Sequence, residues 1–222
     1  MYDRFMARTE RRVLGAKRRE LLAGIRGDVL EIGAGTGANF AHYPPEARVT
    51  ATDPDPYMLR RAESKRTSAI VDLREAPAEK LPFPDASFDA VVCTISLCTV
   101  QDQRASLGEI RRVLRPGGEY RFIEHVRPEG LFGRLLDVVQ PVYGWVSAGC
   151  HANRRTEQAM RDAGFGIARI DHFRLNGAPA ISGVAKWRRA ARDRGRPRGD
   201  AAATRRRLRR PYRRLRRRAG HP

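Results

Sequence analysis

Residues 29–40 read VLEIGAGTGANF, a short apolar run carrying one acid and then glycine at positions 33, 35 and 37. Glycine at every second position lets a chain leaving a strand turn tightly and aim its backbone N–H groups at a ligand, above all at the start of a following helix. Two loop patterns fit. Gly33, Gly35 and Gly37 give G-x-G-x-G, while Gly33, Gly35 and Ala38 satisfy the G-x-G-x-x-G/A spacing of dinucleotide sites. The loop by itself does not choose between them, so its surroundings must.

Working outward, Val29 to Ile32 reads as a strand, and Gly37 to His42 is expected to open a helix. Before them, Val13, Leu14, Leu21, Leu22 and Ile25 recur at helical spacing over residues 8–25, and Gly27-Asp28 ends that helix. After them come a strand at Arg48–Thr52 ending beside Asp53, a helix at Tyr57–Lys65, and a strand at Ala69–Arg74. Phe88 to Leu97 is strongly apolar, as a parallel strand covered on both faces must be. A helix at Gln103–Leu114 ends at Arg115-Pro116-Gly117-Gly118. A strand at Glu119–Val126, a helix at Asn153–Ala163 and strands at Ile167–Phe173 and Ala180–Trp187 complete the alternation. The fold class is therefore α/β: a Rossmann-like, seven-stranded, mostly parallel sheet with helices on both faces.

Charge divides the 222 residues into two parts. Residues 1–186 hold 28 Lys+Arg against 23 Asp+Glu, and residues 187–222 hold 16 against 2, so +14 of the net +19 lies in the last stretch. One domain over 1–187 and a disordered Arg-rich tail over 188–222 are expected. Within the domain, residues 127–150 mix Leu131, Phe132, Leu135, Leu136, Val138, Val139, Val142, Tyr143, Trp145 and Val146 with few charges, and read as an apolar cap insert. The N-terminal stretch lacks the apolar core of a signal peptide or a membrane span. Cys93, Cys98 and Cys150 show no C-x-x-C or Cys/His metal spacing, so the sequence calls for no metal and for free thiols in a reducing cytoplasm.

Ligands of such sheets bind beyond the carboxyl ends of the strands. Glu31 precedes the glycines, Asp53 ends the second strand where a carboxylate can accept both hydroxyls of a ribose, Ala78 and Glu79 follow the third, and Thr94 to Ser96 end the fourth. Together they outline a pocket for an adenosine-like ligand.

VLEIGAGTG, TATD, LPFPDASFDAVVC and EIRRVLRPGG, in that order, resemble a class I S-adenosylmethionine-dependent methyltransferase of the type 11 group, over about residues 2–186. GANFAHYPP, VVCTISLCTV, FIEHV and Gly149-Cys150 are similar to a narrower set, the alkyl-thiol methyltransferase-like proteins and their phosphatidylethanolamine or quinone methyltransferase-like bacterial relatives. The resemblance implies S-adenosyl-L-methionine as cofactor. It implies that Glu31 with the Gly33, Ala34, Gly35 and Gly37 backbone holds the methionine portion, Asp53 the ribose, Pro54 and Met58 one face of the adenine, and Ala78 and Glu79 its other edge. Thr94 approaches the amino-acid end. Where relatives place an acid beside the adenine amino group, this chain has Pro77, which leaves that contact to Glu79 or a backbone carbonyl.

The methyl acceptor is expected to be small and apolar or lipid-like: a thiol, an amine head group or a quinol. Its pocket is expected to include Tyr2, His125 and Cys150, with His125 as general base or orienting group, since imidazole titrates near neutrality. The expected protein is a cytoplasmic monomer, peripheral to an anionic membrane if its arginines and Leu208, Tyr212 and Leu215 act there. The alternative is a nucleic-acid-binding protein or RNA methyltransferase that uses the Arg-rich tail. An apolar cap and the lack of an aromatic platform argue against it.

Overall fold

Strand β1 (Gly27–Ile32) is buried along its last four residues, because helices cover the sheet on both sides there. The computed structural model describes residues 13–146, 149–175 and 177–187. The Arg-rich tail and Tyr2 lie outside the described residues. Helix α1 (Gly15–Leu22) precedes β1. After β1 come β2 (Ala47–Asp53), α2 (Pro56–Ala62), β3 (Ile70–Glu75), β4 (Phe88–Thr94), α3 (Gln103–Val113) and β5 (Leu114–His125). Helices α4 (Gly130–Val146) and α5 (Thr156–Asp162) and strands β6 (Phe165–Leu175) and β7 (Ala178–Trp187) follow. The sheet order is β3-β2-β1-β4-β5-β7-β6, with β7 antiparallel to both neighbours and the other pairings parallel. Strand order reverses between β1 and β4, and the crevice of such a sheet opens there.

Alternate residues feed two cores. Val29, Val49, Ala51, Phe40 and Tyr43 pack with Leu14, Leu21 and Leu22 of α1 on one face. Leu30, Ile32, Val91, Tyr120 and Phe122 pack with Leu107, Ile110 and Val113 of α3 on the other. Asp102 starts α3 by accepting from the N–H groups of Arg104 and Ala105, which satisfies two donors left over at a helix start.

Several boundaries differ from the sequence reading, each for a local reason. Gly37 to His42 is not an α-helix but a run of turns ending in one 3-10 turn at Phe40–His42. Gly37 sits at φ +78°, outside helical space, and Pro44-Pro45 stop any continuation. Strand β4 ends at Thr94 rather than Leu97, because Ile95 adopts φ +56°, a conformation that a β-branched residue takes only when its surroundings enforce it. The RPGG stretch does not interrupt the chain before β5 but forms its first part, at the cost of a register shift opposite Phe88 and Ala90. Helix α5 begins at Thr156, after Asn153.

The segment read as an apolar cap is the single helix α4, and its apolar row faces outward. Leu131, Phe132, Val138, Val142 and Trp145 are 69–86% exposed, whereas Leu136 packs inward against Cys98, Cys150 and Ala152. No helix among the described residues is long and apolar enough to cross a membrane.

The LPFPD stretch is strapped to α3 by one side chain. Arg112 donates to both oxygens of Glu109 at 2.6 and 2.7 Å, to the Phe83 and Leu81 carbonyls at 2.6 and 3.0 Å, and to Asp85 at 3.0 Å. Truncating it strands two carbonyls and a carboxylate. Arg112→Ala should lower unfolding stability by about 1–3 kcal/mol, read from urea denaturation.

Candidate active site

Four elements meet at the C-terminal edge of β1. Glu31, almost fully buried, receives the Asn39 amide on Oε1 at 2.9 Å. The same amide reaches the Thr94 hydroxyl at 3.0 Å, and Arg18 of α1 donates at 2.7 Å both to the Asn39 carbonyl oxygen and to Thr94. Burial pushes the Glu31 carboxyl up to about 7, against the Tyr43 hydroxyl, Asn39 and Arg18, which favour the charged form. Its Oε2 is buried and meets no hydrogen-bond partner of ordinary geometry. A buried acceptor left in that state is costly unless a donor from outside the chain reaches it.

The glycine loop sits beside this network. A side chain on Gly33 would run into Ser96, and one on Gly37 into the Phe40 ring. Gly35 is different: at φ +55° its added carbon would meet nothing, so its outer side is open space. The Gly35 N–H donates to Asp53 Oδ2 at 2.8 Å and the Asp55 N–H to Oδ1 at 3.0 Å, which fixes the carboxylate while leaving lone pairs on both oxygens. Burial raises the Asp53 carboxyl above its ordinary range against these two N–H groups. Pro54 is exposed and Met58 half-buried on the start of α2, next along the chain, and Ala78 is buried. Glu79 is already occupied on one oxygen by the N–H groups of Gln101 and Asp102 at the head of α3. A buried carboxylate, an open glycine and a held aspartate thus cluster at the C-terminal ends of β1 and β2, and their donor and acceptor chemistry fits S-adenosylmethionine.

Across β4 lies a second buried carboxylate. Glu124 accepts the N–H groups of Ser96, Leu97 and Cys98 at 3.2, 2.9 and 3.1 Å, and burial nonetheless pushes its carboxyl up to about 7. Its neighbour His125, half-buried at the end of β5, turns Nδ1 toward two thiols, Cys150 Sγ at 3.7 Å and Cys98 Sγ at 4.0 Å. The hydrogen bond from Cys98 and the adjacent imidazole hold the Cys150 thiol well below its ordinary value, while the Cys98 thiol moves up. Cys93, by contrast, is a buried hydrophobe on the other face of β4. The sequence reading placed His125 and Cys150 together but missed Cys98 beside them, and found no metal-type cluster because chain spacing hides this one. Arg18, Asn39, Tyr43 and Glu124 were missed as well. Asn39 had a signal, since it stands in the opening stretch itself, and Glu124 adjoins His125; nothing marked Arg18 among its neighbouring arginines.

Residues 30–122 match the methyltransferase domain family. Human thiol S-methyltransferase TMT1B is 39% identical over 173 residues, covering 69% of each chain. Human thiol S-methyltransferase TMT1A is 34% identical over 175 residues, with 72% of each chain covered. An S-adenosylmethionine-dependent methyltransferase from Mesorhizobium loti shares the fold at TM-score 0.58 and 19% identity, covering 77% of this chain and 96% of that one.

Because Glu31 and Glu124 bind protons more tightly folded than unfolded, stability should fall as pH rises from the ordinary glutamate range to about 7. Glu31→Gln should flatten part of that fall, so that without added ligand its melting temperature exceeds the parent's at pH 8 but not at pH 5.

Proposed function

Given that the chain belongs to the class I S-adenosylmethionine-dependent methyltransferases of the type 11 group, we propose that its acceptor is a small, largely apolar thiol. The thiol S-methyltransferases among its relatives support this choice over an amine head group or a quinol. The single observation that carries it is the convergence of His125, Cys98 and Cys150 beyond the end of β4.

When bound, the donor would supply an activated methyl group on a sulfonium, which the acceptor sulfur's electron pair would take while the donor's sulfur keeps the pair of the broken bond. The residues of this chain do the rest. Glu31 accepts from the donor's ammonium, for which Oε2 is unfilled, and Arg18 brings positive charge to the network that faces the donor's carboxylate. Asp53 accepts the ribose hydroxyls. His125, with Cys98 and Cys150, forms the wall beside which the acceptor's S–H proton would be lost. Holding the two sulfurs in line is worth ~7–11 kcal/mol of the barrier, which is why rigid anchoring matters more here than chemical reactivity.

The outward row of α4 offers an apolar surface, and the sequence of the same chain carries a net charge of +14 over residues 187–222. We further propose that this face rests on an anionic membrane, from which lipophilic thiols would reach the site.

With labelled donor and a panel of alkyl thiols, phosphatidylethanolamine and quinols, label should appear on the thiols alone; label on an amine or quinol alone would refute the acceptor assignment. Asp53→Ala should weaken donor binding about 10- to 100-fold by calorimetry, the worth of hydrogen bonds to a charged group. In flotation with phosphatidylserine vesicles the full chain should co-migrate and a Phe132→Ser, Trp145→Ser double variant should not; equal flotation of both would remove α4 from the contact.

A further inference from the structure

Cys98, His125 and Cys150 come from three different places: the turn after β4, the end of β5, and the connection between α4 and α5. Their ligand atoms nonetheless lie within 4.8 Å of one another, and both sulfurs converge on the same imidazole nitrogen, at 3.7 and 4.0 Å. A tetrahedral zinc with Zn–S of about 2.3 Å and Zn–N of about 2.0–2.1 Å separates sulfur from nitrogen by about 3.5 Å and sulfur from sulfur by about 3.8 Å. The observed S···N spacings sit a few tenths of an ångström outside that size. A thiol pair that simply packed, or closed into a disulfide, would need no imidazole nitrogen aimed at both sulfurs.

The two cysteine ligands are held through their backbone groups. The Cys98 N–H donates to Glu124 at 3.1 Å, and its carbonyl accepts the His151 N–H at 2.7 Å. The Cys150 carbonyl accepts the Gln140 amide at 2.9 Å, and Arg154 grips the carbonyls of Leu97 and Val100 at 2.6 and 2.5 Å. Two thiolates and a neutral imidazole around a divalent cation sum to zero charge, so the filled site avoids the large cost of an isolated buried ion. Three protein ligands leave one position of a tetrahedron open, the arrangement of zinc sites that do chemistry.

We propose that Cys98 Sγ, His125 Nδ1 and Cys150 Sγ bind one zinc ion, and that its fourth position takes the sulfur of the acceptor thiol. The second half rests on the thiol reading of the acceptor; the first does not. Cys98 and Cys150 are buried, whereas His125 is half-buried, and a cleft of about 640 Å³ lined by Gly149 and His151, the chain neighbours of Cys150, lies close by. On binding, the S–H proton passes to water and the sulfur stays as a zinc-held thiolate, keeping the electron pair that forms the new S–C bond. His125 then acts as a ligand and not as a base.

The test uses the full chain, purified without a metal-binding tag and under reducing conditions. Elemental analysis should find about one zinc per chain. After removal of zinc, cobalt(II) should give the charge-transfer absorption of thiolate ligation. His125→Asn and Cys150→Ser should lose the metal while keeping a cooperative melting transition, and Cys93→Ala should keep it. Absence of both zinc and the cobalt–thiolate band, or a Cys98–Cys150 disulfide as the reduced-buffer resting state by mass spectrometry, would overturn the site. A cobalt spectrum that shifts on adding an alkyl thiol supports the open position. A spectrum that stays unchanged while thiols are still methylated would overturn that position and leave the thiol acceptor standing. Zinc binding without any thiol methylation would leave the metal site standing and overturn the acceptor reading.

Discussion

A carboxylate placed at the buried end of a central strand has to be met by something, and much of this molecule is arranged around meeting Glu31. Asn39 reaches it from the turn after the glycine loop, Thr94 joins through the same amide from β4, and Arg18 closes the set from α1. The network therefore ties together the helix before the sheet, the loop, and the strand on the other side of the switch point. It does so while leaving one carboxylate oxygen unfilled. An apolar residue at position 31 would relieve the burial cost, so the buried carboxylate gives up stability at this edge, as is common where polar groups are buried at functional sites.

Glu124 repeats the device one strand over, with a different outcome. Its two oxygens are taken by three successive N–H groups of the turn after β4, so its role is to hold that turn. The turn needs holding, since Ile95 at φ +56° is a strained entry to it. One result is that Thr94 belongs to the Glu31 network while Cys98, four residues on, stands beside His125. The short kinked segment between them is the partition between the two halves of the site.

Most of the fold was legible because parallel core strands cannot alternate: Val29–Ile32 and the first part of Phe88–Leu97 must be apolar when helices cover both faces. Seven strands were found, though their order in the sheet was not read from the sequence. What failed were places where one residue's backbone overrode an apolar pattern. Ile95 ended β4 early, and Gly37 with Pro44-Pro45 reduced an expected helix to turns. Gly33, Gly35, Glu31 and Asp53 could be read as a site from their positions at strand ends, but Arg18 could not, because nothing in a run of arginines says which one turns inward. His125 and Cys150 were read as one pocket, but Cys98 was missed for a related reason: the two thiols stand 25 and 27 residues from His125, far outside any local metal spacing.

Helix α4 shows how one sequence pattern can serve two surfaces. Its apolar residues were read as one cap, yet among those described Leu136 alone packs against Cys98, Cys150 and Ala152, and Gln140 on the same side fixes the Cys150 carbonyl. Arg127 pins the helix from below by gripping Asp137 at 2.6 Å, as a rim contact that positions more than it stabilises. The outward row, with Trp145 86% exposed, leaves several large apolar side chains in solvent on one helix face. An acceptor that partitions into an apolar phase would meet that row first and the thiols behind it second. The same helix would then present the substrate's environment on one face and position its reactive wall on the other, and a charge placed on the outer row should alter access to the site without touching the chemistry inside it.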